Sequence, residues 1–272
     1  MRIMCRVLSV SVGGFYAWTK RPPSARERED GELSKQITSI YQQHQGHYGS
    51  PRIHAQLRDE GVHIGYKRVV RLMKQARLMA RHRTRRVVTT RADPTATPAE
   101  NVLDRDFEAE EPNQKWVCDV TYIATSVGWL YLAAVLDLYS RRVVGWAMAS
   151  KQDEELVHQA LRMAVTHRQP EAGLLHHSDR GCQYTSQAYQ AYLKNLEICV
   201  SMSRKGNCWD NAVMERFFGT VKRECTALMP FATHQEARTA LFEYIEVYYN
   251  RIRKHSTLGY LSPIQFELAT NY

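Results

Sequence analysis

The chain has 272 residues, 44% of them hydrophobic and 24% charged, so it can bury a real core and has the charge content of an ordinary soluble protein. Its longest apolar run, residues 129–136, is too short to span a bilayer, and its six cysteines include no C-x-x-C pair. The formal net charge of +9 points to a polyanionic partner, nucleic acid first and an acidic membrane second.

The first 32 residues are predicted to form an N-terminal segment without a secretory leader, because no apolar core precedes a small-residue cleavage site. Reduced thiols in a cytosolic protein are therefore expected. Three short helices are predicted next, at 33–45, 51–60 and 66–76, from apolar residues at helical spacing. Ser50 is suited to cap the second helix, and Pro51 suits its first position.

The third predicted helix opens a strongly basic run. Between residues 67 and 91 there are ten Lys or Arg and no acid. A solvated charged surface is one interpretation, but like charges without interleaved acids destabilise a helix, which favours contact with nucleic acid. Residues 33–91 are thus predicted to be a helix-turn-helix-like DNA-binding module. Its expected DNA contacts are Lys67, Arg68, Arg71, Lys74, Arg81, Arg83, Arg85 and Arg86.

An acidic, proline-containing linker is predicted at 92–113, and the pattern then alternates between strands and helices. Three strands in a meander, followed by strands separated by helices, predict a mixed sheet with helices packed on it. The predicted strands are 115–124, 129–138, 142–149, 174–177 and 198–201, and the predicted helices are 154–167, 186–196 and 212–228.

Three carboxylates stand out in this half of the chain. Asp119 lies inside a strand, where Asp is unfavourable, and Asp179 lies just beyond the end of a buried strand, where ligands bind in open α/β sheets. Glu215 is on the long helix, away from its apolar face. Each residue alone is more simply explained as a cap, an ion pair or an exposed charge.

Taken together, three neighbouring carboxylates repel each other unless a cation joins them. All-oxygen sites suit Mg²⁺ or Mn²⁺, and two such ions can activate an attacking oxygen and stabilise a leaving oxygen. This chemistry is suited to cleavage and transfer of phosphodiesters.

Several segments resemble the integrase core of bacterial insertion-sequence transposases. They are W-V-C-D-V-T-Y-I from Trp116, L-D-L-Y-S-R-R-V-V-G-W from Leu136, H-S-D-R-G-C-Q-Y from His177, N-C-W-D-N-A-V-M-E-R-F-F from Asn207 and Y-N-R-I-R-K-H from Tyr249. Asp179 and Glu215 have 35 residues between them, the separation of the family's DD(35)E signature. The chain resembles the OrfB-type product of the group whose transposase is encoded in two overlapping frames, with a DDE core of the retroviral-integrase superfamily.

The resemblance implies a ribonuclease-H-like mixed five-stranded sheet with flanking helices, with a catalytic core and C-terminal helical extension at 114–272. It implies that Asp119, Asp179 and Glu215 are the metal ligands of a polynucleotidyl transferase. It further implies Mg²⁺ with Mn²⁺ as a substitute, two ions in number. The implied partners are double-stranded DNA (element ends and target), the upstream-frame product and further copies of the chain on DNA, without a membrane, in the bacterial cytoplasm at the nucleoid.

Further basic residues are candidate DNA contacts outside the front module. Arg204 and Lys205 precede the long helix in a flexible loop, Lys222 shares the Glu215 side of the helix, and an ion pair is the alternative for Lys222. Arg251, Arg253 and His255 form a second basic patch. The nearby acids are expected to have structural roles: Asp137 pairing with Arg141 or Arg142, Asp210 capping the long helix, and Glu224 on another side of it.

Two other functions remain open from the residues alone: a hydrolytic nuclease of the same fold, and a DNA-binding repressor with an inactive core. Only the resemblance favours strand transfer over hydrolysis. The opening residues look like the start of a downstream frame, with no heptad series before them, so we expect weak sequence preference from this chain alone.

Overall fold

The computed structural model describes residues 1–80, 99–204, 207–226 and 231–270, and the chain forms two compact units, Met1–Arg81 and His82–Tyr272. The first unit is helical within its described part. Its helices are α1 (Arg2–Val7), α2 (Val12–Thr19), α3 (Ala25–Gln43), α4 (Ser50–Asp59) and α5 (Tyr66–Gln75). The apolar sides of α3, α4 and α5 meet in one core, which contains Ile37, Ile53 and Leu72.

Two helix starts in this unit differ from the sequence prediction. Helix α3 begins eight residues earlier than expected, because Ser24 and Glu27 form a reciprocal capping box. Helix α4 has Gly49, not Ser50, at its N-cap, and Ser50 Oγ instead lies 3.1 Å from the Tyr66 hydroxyl.

The second unit is built on a five-stranded sheet with the order β3-β2-β1-β4-β5. Strands β1, β2 and β3 form an antiparallel meander, and β4 and β5 run parallel to β1. This arrangement confirms the expected ribonuclease-H-like mixed sheet. The strands are β1 (Lys115–Thr125), β2 (Gly128–Asp137), β3 (Val143–Ala149), β4 (Leu175–Ser178) and β5 (Cys199–Met202).

Helices cover both faces of the sheet. One core contains residues of α6 (Glu154–Arg168) and α8 (Gln187–Asn195), and the other contains residues of α9 (Ala212–Val221) and α10 (His234–Phe242). Helix α6 packs directly on β3 at Gly145, where a Cβ atom would overlap the Ala160 carbonyl oxygen. The remaining described elements are α7 (Cys182–Thr185), the 3₁₀ turns Cys208–Asn211 and Ser256–Leu258, the π-helical turns Lys222–Thr226 and Glu243–Tyr249, and α11 (Pro263–Ala269).

The predicted long helix 212–228 is shorter than expected. Helix α9 ends at Val221 and continues as the π-helical turn Lys222–Thr226, while residues 227–230 lie outside the described residues. A π turn has more residues per turn than an α-helix, so it rotates the side chains that follow. Glu224 is thereby buried in the core. None of the described helices is long and apolar enough to cross a membrane.

Candidate active site

Asp119, in β1, and Asp179, directly after the neighbouring strand β4, lie just past the point where the two strands cease to pair. The parallel pairing of β1 with β4 ends at Val117 and His177, and each Asp is two residues beyond that pair. Asp119 is partly buried and accepts a hydrogen bond from the Val120 N–H at 2.8 Å. Asp179 directly follows β4, and its Oδ1 accepts from the Gly181 N–H at 2.9 Å. Both carboxylates therefore lie beside the crevice where β1 and β4 separate.

Glu215 is on α9, which packs on the sheet through the buried side chains Met214, Phe217, Phe218 and Val221. Glu215 itself is partly exposed, as its position away from the apolar face predicts. The expected helix face is therefore confirmed by the burial pattern of α9.

The three carboxylates act on one another electrostatically. Burial, and next the charge of Asp179, raises the pKa of Asp119 well above its ordinary value, and Glu215 adds to this rise. The Val120 N–H and Lys222 oppose it. In the described part of the chain, no group of three His, Cys, Asp or Glu side chains is close enough to hold a metal ion together. Mutual repulsion, which a cation would relieve, is the physical reason to expect such spacing.

Lys222 is the cation that accompanies this group. Its Nζ lies 4.3 Å from the centroid of the Tyr122 ring, a cation–π contact. Burial lowers the pKa of Lys222, and Asp119 raises it. The ammonium group is thus positioned by an aromatic ring. This contact was not predicted from the sequence, where the two alternatives for Lys222 were a phosphate contact and an ion pair.

A buried polar network surrounds His177, two residues before Asp179, and no sequence pattern had indicated it. Ser201 Oγ accepts from the Val102 and Leu103 N–H groups at 3.0 Å, so both of its lone pairs are used and its hydroxyl must donate to His177 Nδ1, 2.8 Å away. His177 Nε2–H then donates to Ser203 Oγ at 3.1 Å, and burial lowers the pKa of His177 to about 4. His177 is therefore neutral and held as one tautomer.

A second structural cluster corrects the expectation for Asp210. Its carboxylate is fully buried and does not cap α9; it accepts from Arg204, from Arg105 Nε at 2.9 Å and from Asn101 Nδ2 at 3.0 Å. Asn207 does cap, accepting from the Trp209 N–H at the start of the 3₁₀ turn. Arg204, expected on DNA, is thus already paired with Asp210, although half of its side chain is exposed. Lys205 lies outside the described residues.

In the helical unit, the basic residues of α5 fall into two groups. Arg68 and Arg71 both pair with Asp30 of α3, at 2.8 and 2.7 Å, so the basic run does find acids, about 40 residues away in the chain. Lys67 and Lys74 are exposed, as is Val70. Arg81, Arg83, Arg85 and Arg86 lie outside the described residues.

The residues of the predicted C-terminal basic patch also differ in their burial. Arg253 is not placed as expected: it is buried and paired with Glu224, with Nε 2.7 Å from Oε2. The Tyr244 hydroxyl donates to the same oxygen at 2.9 Å. Arg251 is exposed, whereas His255 is partly buried with its ring edge-on to Tyr249. Asp137 pairs with Arg168, and not with Arg141 or Arg142.

Cys118, the residue before Asp119, belongs to the core. The Cys118 side chain points away from Asp119, and its Sγ lies 3.2 Å from His176 Nε2 in the core beneath α6 and α8. Burial, followed by the charge of His177, lowers the pKa of His176 to about 3.

Comparison with known proteins agrees with this architecture. Integrase core domain models match residues 109–208 and 196–263, and an HTH-like domain model matches 27–86. An uncharacterized 31 kDa protein of insertion element IS600 from Shigella sonnei is 41% identical over 97% of both chains. Transposase InsF for insertion sequence IS3A from Escherichia coli K12 is 40% identical over 98% of this chain and 93% of its own.

Two solved structures are more distant. A simian T-cell lymphotropic virus intasome chain is 15% identical, with a TM-score of 0.49, over 85% of this chain and 73% of its own. The HTLV-2 integrase catalytic core domain, solved with magnesium, is 18% identical, with a TM-score of 0.45, over 58% of this chain and 99% of its own.

The integrase core and the helix-turn-helix-like unit define a DNA-acting polynucleotidyl transferase. The chain belongs to the family of insertion-sequence transposases that includes the InsF proteins of IS3. It is an insertion-sequence transposase with integrase-like catalytic activity.

Proposed function

We propose that Asp119, Asp179 and Glu215 form the site at which this transposase cleaves DNA at the element ends and joins it to a target. The observation that carries the proposal is that the three carboxylates are close enough to act on one another: burial, and then the charges of Asp179 and Glu215, raise the pKa of Asp119. Two of these carboxylates lie just past the end of the pairing between β1 and β4, and the third is on a helix packed against the sheet. This group of residues is suited to divalent cations and poorly suited to nucleophilic or general-base catalysis by His or Cys.

The donor set fits Mg²⁺, with Mn²⁺ as a substitute. Carboxylate oxygens are the ligands that these hard cations prefer, and the raised pKa of Asp119 shows negative charge that a cation would stabilise. We propose that Asp119, Asp179 and Glu215 hold two such ions. When bound, the ions supply charge stabilisation to the attacking and leaving oxygens of an in-line phosphoryl transfer.

The residues around the carboxylates have separate tasks in this proposal. Lys222, held over Tyr122 and close to Asp119, attracts a DNA phosphate toward the site. The His177 network fixes the segment from which Asp179 emerges, so that its carboxylate keeps one orientation. Lys67, Lys74 and Arg251, which are exposed, contact the phosphates of the duplex, together with Arg81, Arg83, Arg85, Arg86 and Lys205.

The substitution Asp119→Asn tests the catalytic assignment, because it keeps the shape and removes a negative charge. Cleavage and joining of DNA carrying the element ends should fall by at least about a hundredfold, while DNA binding persists or rises as repulsion of phosphate decreases. The measurement is Mn²⁺-supported cleavage and transfer on a labelled duplex. Asp106→Asn, an exposed carboxylate paired with Lys115, is the matched control.

Wild-type rates in Asp119→Asn would contradict the assignment. A second substrate separates transposition from simple hydrolysis: with pre-cut ends that expose a 3′-hydroxyl, the transposase should join them to plasmid DNA. A protein that nicks plasmid but never joins such ends would be a nuclease, and one that binds without either reaction would be a repressor.

We further propose that residues 33–91 are the DNA-binding module and that residues 114–272 are the catalytic core with its C-terminal extension. The HTH-like match at 27–86 supports the first of these. Two copies, joined by the upstream-frame product, would hold the two element ends together at the bacterial nucleoid. Transposition requires this pairing, since the two ends must be joined to one target.

A further inference from the structure

Asn211 stands at the N-cap position of α9, yet its side chain caps no backbone N–H. Its Nδ2 instead donates to the Cys118 carbonyl oxygen at 3.0 Å, and the residue is only 6% exposed. A carbonyl oxygen only accepts hydrogen bonds, so the amide cannot be turned round without placing two acceptors against each other. The orientation of the Asn211 amide is therefore determined.

The other end of this amide is unsatisfied. Asn211 Oδ1 is buried, and no donor reaches it within the described ranges of the chain. Buried amide oxygens in native proteins almost always accept a hydrogen bond or bind an ion, because desolvation without a partner is costly. Since the amide is fixed by Cys118, rotation cannot remove the problem. The unused oxygen indicates that something binds at this point.

The strand geometry shows where the amide lies. The Leu175 N–H donates to the Gln114 carbonyl, and carbonyls that face one neighbour alternate along a strand, so the Cys118 carbonyl also faces β4. Pairing of β1 with β4 stops at Val117, one residue earlier. Asn211 therefore occupies the crevice that opens between the two strands leading to Asp119 and Asp179.

Glu215 is the third carboxylate near the Asn211 amide. It is four residues after Asn211, and such residues lie on the same side of a helix, one turn apart. Asn211 is thus next to the elements that carry all three carboxylates. A neutral oxygen suits this place, because a fourth carboxylate would add repulsion while an amide oxygen is still a hard ligand for Mg²⁺ or Mn²⁺.

We propose that Asn211 contributes its Oδ1 to the divalent-cation site formed with Asp119, Asp179 and Glu215. This inference rests on the proposed function of those carboxylates. Asn211 has two tasks in this arrangement: Nδ2 holds the start of α9 against β1, and Oδ1 completes the oxygen set on the cation.

The proposal can be tested independently of activity by measuring Mn²⁺ binding to the full chain without DNA. Electron paramagnetic resonance of the free ion gives the affinity. Asn211→Ala removes both ends of the amide and should weaken Mn²⁺ binding by about tenfold or more. Asn211→Asp also loses the bond to Cys118 but keeps an oxygen, so it should bind Mn²⁺ within about threefold of wild type, or more tightly. Asn207→Ala, which removes a cap in the same segment, should leave the affinity unchanged.

Equal weakening by Asn211→Ala and Asn211→Asp would show a purely structural role and overturn the proposal, as would unchanged affinity in Asn211→Ala. If Asn211→Ala does not fold, Asn211→Asp decides alone: weaker binding with an unchanged circular dichroism spectrum contradicts the proposal. Asp119→Asn distinguishes the two proposals. Undiminished Mn²⁺ binding in that variant, or none in the wild type, would overturn the carboxylate site itself.

Discussion

The charged residues of this transposase are of two kinds: some are paired inside the fold, and others are exposed to solvent. Arg253 shows the first case: its guanidinium is buried against Glu224, with Tyr244 completing the carboxylate's hydrogen bonds. Arg251, two residues earlier, is exposed. Because the two arginines are close in sequence, both were predicted to belong to one basic patch. Of the two, Arg251 is exposed to solvent and Arg253 is in the core.

Arg253→Met should therefore lower the free energy of unfolding by about 3–5 kcal/mol, since it leaves the Glu224 carboxylate buried without its partner. Urea denaturation of the full chain measures this change. The double variant Arg253→Met with Glu224→Gln should recover part of the loss, because no unpaired charge remains. Arg251→Ala should unfold like the wild type, and equal destabilisation by both arginine substitutions would contradict the assignment.

The contribution of Asp210 to the free energy of unfolding should depend on pH. The Arg204 guanidinium lowers the pKa of Asp210 against the opposing effect of burial, with Arg105 adding to the decrease. A carboxyl group whose pKa is lowered on folding stabilises the protein above its unfolded pKa, about 3.9, and this stabilisation is lost as pH falls toward the folded pKa.

The stability difference between wild type and Asp210→Asn should accordingly be largest above pH 5 and should narrow progressively below about pH 4. Chemical denaturation at a series of pH values gives this difference directly. Glu171→Gln, at an exposed position in the loop after α6, provides the comparison. A difference that stays constant down to pH 2 would mean that Asp210 is not ionised preferentially in the folded chain.

Among the secondary-structure elements, the order and type of the predicted strands and helices agree with the structure. The differences are in their boundaries and in helices that were not predicted individually, namely α1, α2, α7, α10 and α11. The strands were predictable because their apolar residues are continuous, and Asp119 was noticeable because Asp is unusual inside a strand. The first turns of α3 were not, because residues 26–29 are polar and exposed, and only the Ser24–Glu27 box marks the start.

The site residues missed from sequence have a common physical reason. Asp210 pairs with Arg105, and Ser201 with Val102 and Leu103, across about 100 residues of chain. Helical or strand periodicity contains no information on such tertiary pairs. No role was predicted for Asn211, because its hydrogen bond to Cys118 and its unsatisfied oxygen depend on the packing of α9 against β1.

Helix α5 yields a prediction that separates binding charges from structural ones. Lys67→Ala with Lys74→Ala should lower the slope of log affinity against log salt by about 2, because each exposed lysine that contacts a phosphate releases about one counterion. Titration of labelled duplex by the full chain at several salt concentrations measures the slope. Arg68→Ala is the control: it breaks the pair with Asp30 and should lower stability more than the slope.

At the scale of the whole molecule, the chain joins a DNA-binding unit to a catalytic unit, but specificity needs contacts to base edges beyond phosphate attraction. On α5, the exposed residues are Tyr66, Lys67, Val70, Lys74 and Gln75, while Arg68 and Arg71 are engaged with Asp30. This is a small surface for reading a terminal repeat, which favours the proposal that the upstream-frame product supplies the rest.

The chain alone should then prefer terminal-repeat DNA over scrambled DNA by much less than about a thousandfold, the lower range for site-specific binders. Competition binding at physiological salt compares the chain alone with its fusion to the upstream product, which should restore end-specific binding and synapsis. Thousandfold discrimination by the chain alone would contradict this expectation.

The hydrogen bonds that hold the segment 100–105 have a mechanical consequence. It is fastened at two points: to β5 through Ser201 and the bond from the Met202 N–H to the Glu100 carbonyl, and to the 3₁₀ turn before α9 through Asp210. A pulling force on the chain at residue 99 would reach these two fastenings before any strand of the sheet. The tension would be divided between the strand beside Asp179 and the turn leading to Glu215, so stretching the linker would strain the active site before it unfolded the core.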